Sequence, residues 1–150
     1  MLAGTTELLK EGGVEAADIG HVIHGTTLVT NALIERKGAR CGLITTSGFR
    51  DLLEMRRRNR RRPYGIEKVF EPLVAREQRL EVEERSDPVG VVVPVDVESV
   101  SSQAETLWSS GVEAIVVSFL HATTSPKNER AAVCEIRRQW PDRHVFSASE

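Results

Sequence analysis

Ala114 to Leu120 reads Ala-Ile-Val-Val-Ser-Phe-Leu, and no other stretch constrains the fold of this chain so tightly. A continuous apolar run of strand length, β-branched at its centre, fits a strand buried on both faces. Such strands belong to parallel sheets, whose crossovers lay helices over them. Upstream, Asp96 caps a helix running to about Ser110, with Val97, Val100, Ala104, Leu107 and Trp108 near helical spacing and Gly111 as its break. Trp108 reads as core rather than as a platform for a ligand. Downstream, Ser125-Pro126 supplies a cap and first helical position, and the helix runs to about Gln139. Pro141 marks its end, His144 to Ser147 begins another strand, and Ser147 to Glu150 looks like a further polar strand end.

The N-terminal half alternates in the same way. Residues 1 to 12 form a short helix with Leu8 and Leu9 on the buried side, ended by Gly12-Gly13. His21 to His24 make a buried strand. Arg40 to Thr46 is a second apolar strand, and Thr45-Thr46-Ser47-Gly48 opens a short helix from Phe49 to Glu54. The Thr45 to Ser47 hydroxyls read as ordinary caps; if the two strands are parallel neighbours, they instead line one cleft with the turn after His24. Residues 78 to 95 read as a hairpin: Gln78 to Glu83 alternates, Ser86 to Gly90 turns, and Val91 to Val93 returns, with one acidic, solvent-exposed face. This order predicts an α/β fold with a mainly parallel sheet and a β-hairpin insertion.

The candidate chemistry gathers in His24-Gly25-Thr26-Thr27-Leu28-Val29-Thr30-Asn31, where an apolar strand meets a helix that Gly38 closes. Thr26 or Thr27 caps that helix, and Ala32, Leu33 and Ile34 lie within it. In an open α/β sheet ligands collect where strands end and helices begin, because free N–H groups and the helix dipole favour an anionic oxygen. The plainer alternative is a capped helix beside a satisfied core histidine. His121 likewise stands at a strand's C-terminal edge, where a general base or a donor to substrate would act.

Composition excludes several classes. The 150 residues fit one domain with a real core; 40% are apolar and 28% charged, and the net charge of −2 gives no global field for nucleic acid or an anionic membrane. No apolar run reaches the roughly 18 residues of a membrane span, and no secretory leader pattern opens the chain. Cys41 and Cys134 have no metal-ligand spacing and read as buried free thiols in a reducing, cytoplasmic setting. Arg56 to Arg62 holds six arginines in seven positions. It reads as a solvated loop answered by Glu67, Glu71, Glu77, Glu81, Glu83, Glu84 and Asp87, or as a phosphate-gripping segment.

The string HGTTLVTNALIERKGARCGLITTSGFRDLLEMRR is long and specific. With Leu80 to Arg85, Gly111 to Ala114, Leu120-His121 and Pro126 to Glu129, it resembles the N-terminal region of the hydantoinase A/5-oxoprolinase family over about residues 18 to 150. That family includes ATP-dependent N-methylhydantoinases, 5-oxoprolinases and subunits of acetone and acetophenone carboxylases. The resemblance implies that residues 1 to 150 are a partial N-terminal domain, part of an actin-like ATPase domain of ribonuclease-H-like fold. It implies ATP with Mg²⁺, phosphorylation of a cyclic amide carbonyl, and ring opening by water; in the carboxylase branch a ketone enolate or bicarbonate is activated instead.

Carried onto this sequence, the resemblance makes His24, Gly25, Thr26, Thr27, Thr30, Asn31, Arg57 and His121 the substrate-binding candidates, with no catalytic residue and no metal ligand assigned. Arg57 aligns with the family's arginine and Asn59 with a frequent asparagine, while Arg56 and Arg58 depart from the small and amide residues expected beside it. Pro63 and Tyr64 keep the following loop with the proline displaced. The family's Asp-Gly-Gly-Thr phosphate loop would lie upstream of the matched string, and its second phosphate motif and adenosine site beyond residue 150. The isolated chain is therefore expected neither to bind ATP tightly nor to hydrolyse a hydantoin. Its expected partners are the remainder of the enzyme or a B-type subunit. A carboxylase-subunit fragment, a non-catalytic interaction module and, last, a nucleic-acid module using Arg56 to Arg62 are the alternatives.

Overall fold

Within residues 36–150 the apolar runs become strands, and the amphipathic stretches 97–109 and 127–139 become the helices that cover one side of the sheet. The computed structural model describes residues 2–21, 25, 27–55 and 71–150. The chain divides into two compact units, Met1–Glu35 and Arg36–Glu150. The first holds α1 (Leu2–Gly12) and α2 (Leu28–Glu35). The second holds, in order, β1 (Cys41–Thr46), α3 (Leu52–Met55), β2 (Arg79–Val82), β3 (Arg85–Ser86), β4 (Val91–Val93), α4 (Val97–Ser109), β5 (Ala114–Ser118), α5 (Lys127–Gln139) and β6 (His144–Ser147).

In the first unit the Thr27 carbonyl accepts from the Asn31 N–H at 2.8 Å, which puts Thr27 at the start of α2. Among the described residues, neither helix buries an apolar side chain. Leu8, expected on a buried side, is 70% exposed, and Leu28, Val29, Leu33 and Ile34 are exposed on α2. Two short helices have too little facing surface to cover one another. α2 ends at Glu35, ahead of Gly38, because Arg36 takes φ 54°. Within the second unit, the Arg36 guanidinium donates to the Glu71 and Pro72 carbonyls at 2.6 and 3.1 Å. The strand expected at His21 to His24 lies, apart from His21, outside the described residues.

The second unit is a parallel sheet in the order β2-β1-β5-β6. The register sets Gly42 beside Ile115, Ile44 beside Val117, and Ile115 beside Val145. With Val82 these residues face α4 and α5, whose Val100, Ala104, Leu107, Trp108, Ala132, Val133 and Ile136 complete the core. The Asp96 carboxylate accepts from the Glu98 N–H at 3.1 Å and caps α4 as its sequence predicts. Gly111, at φ 83°, ends the turn after it.

Three expectations change. Arg79–Val82 is not the first arm of the hairpin: it pairs in parallel with β1, and the hairpin is the shorter β3–β4 ribbon. An alternating strand carries no mark of its partner, and the edge of β1 away from β5 was free to pair with it. Its polar residues are therefore not a solvated ribbon; Arg79 is fully buried and Glu84 nearly so. α5 begins one residue later than the Ser125-Pro126 pair suggests, with Pro126 itself at the cap. The thiols are free, but Cys134 is exposed and Cys41 half-buried. Cys134 lies off the α5 stripe of Asn128, Glu129, Ala132, Val133 and Ile136, and Cys41 is the first residue of its strand.

Candidate functional site

From β1 the chain moves out to β2, then returns past β1 to β5 and on to β6, so the strand order reverses between β1 and β5. In an open parallel sheet such a reversal leaves a crevice at the carboxyl ends of the two strands. Here those ends are Thr45-Thr46 and Ser118 to His121. The Thr45 hydroxyl donates to the Ser118 carbonyl at 2.9 Å. The Thr46 hydroxyl donates to Glu84 Oε1 and accepts from the Leu120 N–H at 3.1 Å. Both threonines were expected to cap a helix; both instead tie β1 to its neighbours.

Glu84 is shared with the hairpin. Its Oε2 accepts from Asn128 Nδ2 at 2.8 Å. Asn128, in the first turn of α5, also donates to the Val93 carbonyl at 2.9 Å and the Ser86 hydroxyl at 3.3 Å, and accepts from the Val95 N–H at 3.1 Å. One amide thus holds β3, β4 and the chain after them against α5. Thr46, Glu84, Ser86 and Asn128 are all buried. Glu129 makes the corresponding clamp on the other side. Its Oε2 accepts from the Phe119 N–H at 2.9 Å, and its Oε1 accepts from the Ser147 hydroxyl at 2.5 Å and from the Ser149 N–H and hydroxyl at 3.0 and 2.7 Å.

His121 stands exposed between these clamps at φ 59°, the left-handed region that a side chain with a Cβ seldom occupies. Its carbonyl accepts from the Thr124 and Ser125 N–H groups at 3.0 and 2.8 Å and from the Thr124 hydroxyl at 3.0 Å, which closes the turn into α5. Beside it, Asp87 Oδ1 accepts from the Val89 and Gly90 N–H groups at 2.8 Å each. The Gly90 and Val89 bonds hold the Asp87 carboxyl below its usual range; burial opposes them, and a weaker electrostatic contribution from nearby His121 acts in their direction. Arg85 lies over the Phe49 ring at 5.1 Å.

On the β2 side, the turn that follows β1 is held by different groups. Glu81 Oε1 accepts from the Gly48 and Arg50 N–H groups at 2.8 and 3.2 Å, so the donors of that turn are occupied by the chain itself. Buried Arg79 donates to the Val74 and Arg50 carbonyls at 2.9 and 3.4 Å and to Glu54 at 3.1 Å. Asp51 takes a two-pronged bond from Arg76 at 2.9 and 3.0 Å, and that bond holds its carboxyl below the usual range.

Of the residues singled out in the sequence, His121 is placed at the crevice. Gly25, Thr27, Thr30 and Asn31 are exposed in the first unit. His24, Thr26 and Arg57 lie outside the described residues, as does the run Arg56 to Arg62. Sequence reasoning missed Glu84, Asn128 and Glu129. A carboxylate just past a strand and a polar pair in the first helical turn were the available signals, but nothing local links them.

The described residues do not fit a magnesium nucleotide. Glu84 and Glu129 have both oxygens engaged, Glu81 fills the Gly48–Arg50 donor pair, and among the described residues no three His, Cys, Asp or Glu side chains group to hold a cation.

Known proteins share this arrangement. The family model for the hydantoinase/oxoprolinase N-terminal region matches residues 2–140. The chain belongs to this family. It is 34% identical to the 5-oxoprolinase of Saccharomyces cerevisiae over 84% of its length and 12% of that protein's. It is 33% identical to the acetophenone carboxylase gamma subunit of Aromatoleum aromaticum over 81% of its length and 18% of that subunit's. The crystal structure of the ATP-dependent caprolactamase from Pseudomonas jessenii covers 97% of the chain at TM-score 0.73 and 27% identity, through 22% of its own chain. The chain therefore spans less than a quarter of these relatives' length. Among the described residues no helix is long and apolar enough to cross a membrane.

Proposed function

We propose that these residues form part of the cleft wall of an ATP-dependent enzyme that opens cyclic amides, as a partial N-terminal domain of actin-like, ribonuclease-H-like type. The reversal between β1 and β5, with His121 exposed at its rim, carries this reading, because it is where the sheet offers a ligand its crevice. An imidazole there donates to an amide carbonyl, or accepts the proton of the water that opens the ring, without any further group from the sheet. His24, Gly25, Thr26, Thr27, Thr30, Asn31 and Arg57 are proposed as substrate-binding residues on the family resemblance alone. Their hydroxyls, amide and guanidinium suit a polar ring bearing two or more carbonyl oxygens.

ATP enters from the relatives, one of which is described as an ATP-dependent caprolactamase. Mg²⁺ is assigned as the usual companion of the phosphates, and neither is given ligands among the described residues. A second polypeptide, of the B-type subunit class, or further chain of the same protein completes the enzyme. Relatives named as subunits support that: a caprolactamase alpha subunit and an acetophenone carboxylase gamma subunit. The free thiols Cys41 and Cys134 suit a cytoplasmic, reducing setting.

The test is ATP consumption by the protein purified from its source with whatever accompanies it, supplied separately with hydantoin, 5-oxoproline, caprolactam, or acetone plus bicarbonate. A severalfold rise with a cyclic amide is the expected result. A rise only with ketone and bicarbonate moves the chain to the carboxylase branch, which its 33% identity to the acetophenone carboxylase subunit favours as the second reading. No rise with any of them leaves the interaction module.

A further inference from the structure

We propose that Thr46 and Glu84 are positioning residues for His121, holding the turn that carries it from beneath. This rests on the reading of the β1/β5 crevice as the ligand site. The link is continuous and buried. Asn128 and Thr46 donate to the two oxygens of Glu84, and the Thr46 hydroxyl accepts the Leu120 N–H at 3.1 Å, one residue before His121. Thr46 is 1% exposed and Glu84 5%.

The arrangement explains an otherwise unfavourable backbone. His121 sits at φ 59°, and a non-glycine residue stays there only where its surroundings over-determine it. On the downstream side the His121 carbonyl is held by Thr124 and Ser125. On the upstream side Thr46 fixes the Leu120 N–H. Removing either hold lets φ relax, and the imidazole leaves the rim. Glu84 makes the upstream hold one-directional. Its carboxylate accepts the Thr46 O–H hydrogen bond, so the hydroxyl lone pairs remain turned to Leu120. Asn128 then couples the same carboxylate to Ser86 and Val93, so the β3–β4 hairpin and the His121 turn are fixed by one network.

The experiment compares the wild-type chain with Thr46→Val and Thr46→Ser by NMR, reading Leu120 amide exchange and the ring signals of His121 beside those of His144. Thr46→Val keeps the side-chain shape and loses the hydroxyl; Thr46→Ser keeps the hydroxyl. The expected result is Leu120 exchange faster by roughly five- to tenfold in Thr46→Val, as the loss of one buried hydrogen bond implies. The His121 ring signals move, those of His144 stay, and Thr46→Ser behaves as wild type. A folded Thr46→Val with unmoved His121 signals overturns the proposal, and so does an equal effect of Thr46→Ser.

Should Thr46→Val fail to fold, Glu84→Met replaces it. Its near-isosteric thioether offers no strong acceptor to either Thr46 or Asn128, so both links are lost together, and unmoved His121 signals again refute the role. None of these readouts depends on turnover, so failure of the cyclic-amide reading in the ATP assay leaves this result separately interpretable.

Discussion

Glu135 shows how a single exposed-side residue acquires a pH signature. Its carboxylate accepts from Arg138 at 2.7 and 3.0 Å and from Gln139 at 2.6 Å, and Gln139 donates onward to Ser101 on α4. The Arg138 bond, then the Gln139 bond, push its carboxyl down from 4.5 to about 2. The folded state therefore prefers the charged form. The stabilisation is complete above pH 4.5 and disappears as pH falls toward 2. Glu135→Gln is expected to lower the melting temperature at neutral pH, with the gap from wild type closing between those two values. A gap that persists unchanged at pH 2 in a thermal melt contradicts it. At this scale local roles were legible, as with the Asp96 cap. Glu81, Glu84 and Arg79 were not, because their partners at Gly48, Asn128 and Glu54 lie dozens of residues away and polar letters look alike whether solvated or buried.

The packing of β1 on α4 is decided by one glycine. A Cβ on Gly42 would stand 2.9 Å from Leu107 Cδ1 and 3.0 Å from Cδ2, and Leu107 is only 1% exposed. Gly42→Ala is expected to cost about 1–3 kcal/mol, the range for overfilling a packed core. Leu107→Ala alone should cost about 2–5 kcal/mol through its cavity, and the double variant less than the sum, since the new methyl enters the vacated space. Urea unfolding measures all three, and a simple sum would refute the contact. The glycine within RCGLITT gave the sequence no sign of this approach. Strand and helix periodicity located β1, α4, β5, α5 and β6 well. The partner of β2 was misassigned because alternation states a face and not a neighbour.

For the whole molecule, the Thr45 and Thr46 hydroxyls and the N–H groups of the turn after β1 are already engaged by the chain's own groups, which leaves His121 as the exposed group at the β1/β5 crevice. The purified 150-residue chain is accordingly expected to show no ATP hydrolysis with or without hydantoin, measured as phosphate release. Phosphate release by the chain alone would contradict this expectation. The sheet also keeps one side partly open. Phe146, on the face opposite α4 and α5, is 53% exposed, although parallel strands are normally covered on both faces.

The sequence by itself determined the alternation of apolar strands and amphipathic helices, hence a parallel α/β sheet, and its long specific strings determined the family. Both are local properties, written in periodicity, caps and contiguous motif. Only the tertiary structure decided that β2 pairs with β1, that Arg79 and Glu84 are interior, and that Thr46 binds across strands rather than capping a helix. Those outcomes depend on which distant donors and acceptors meet when the strands stack, and a buried polar group must take whatever partner the fold brings to it.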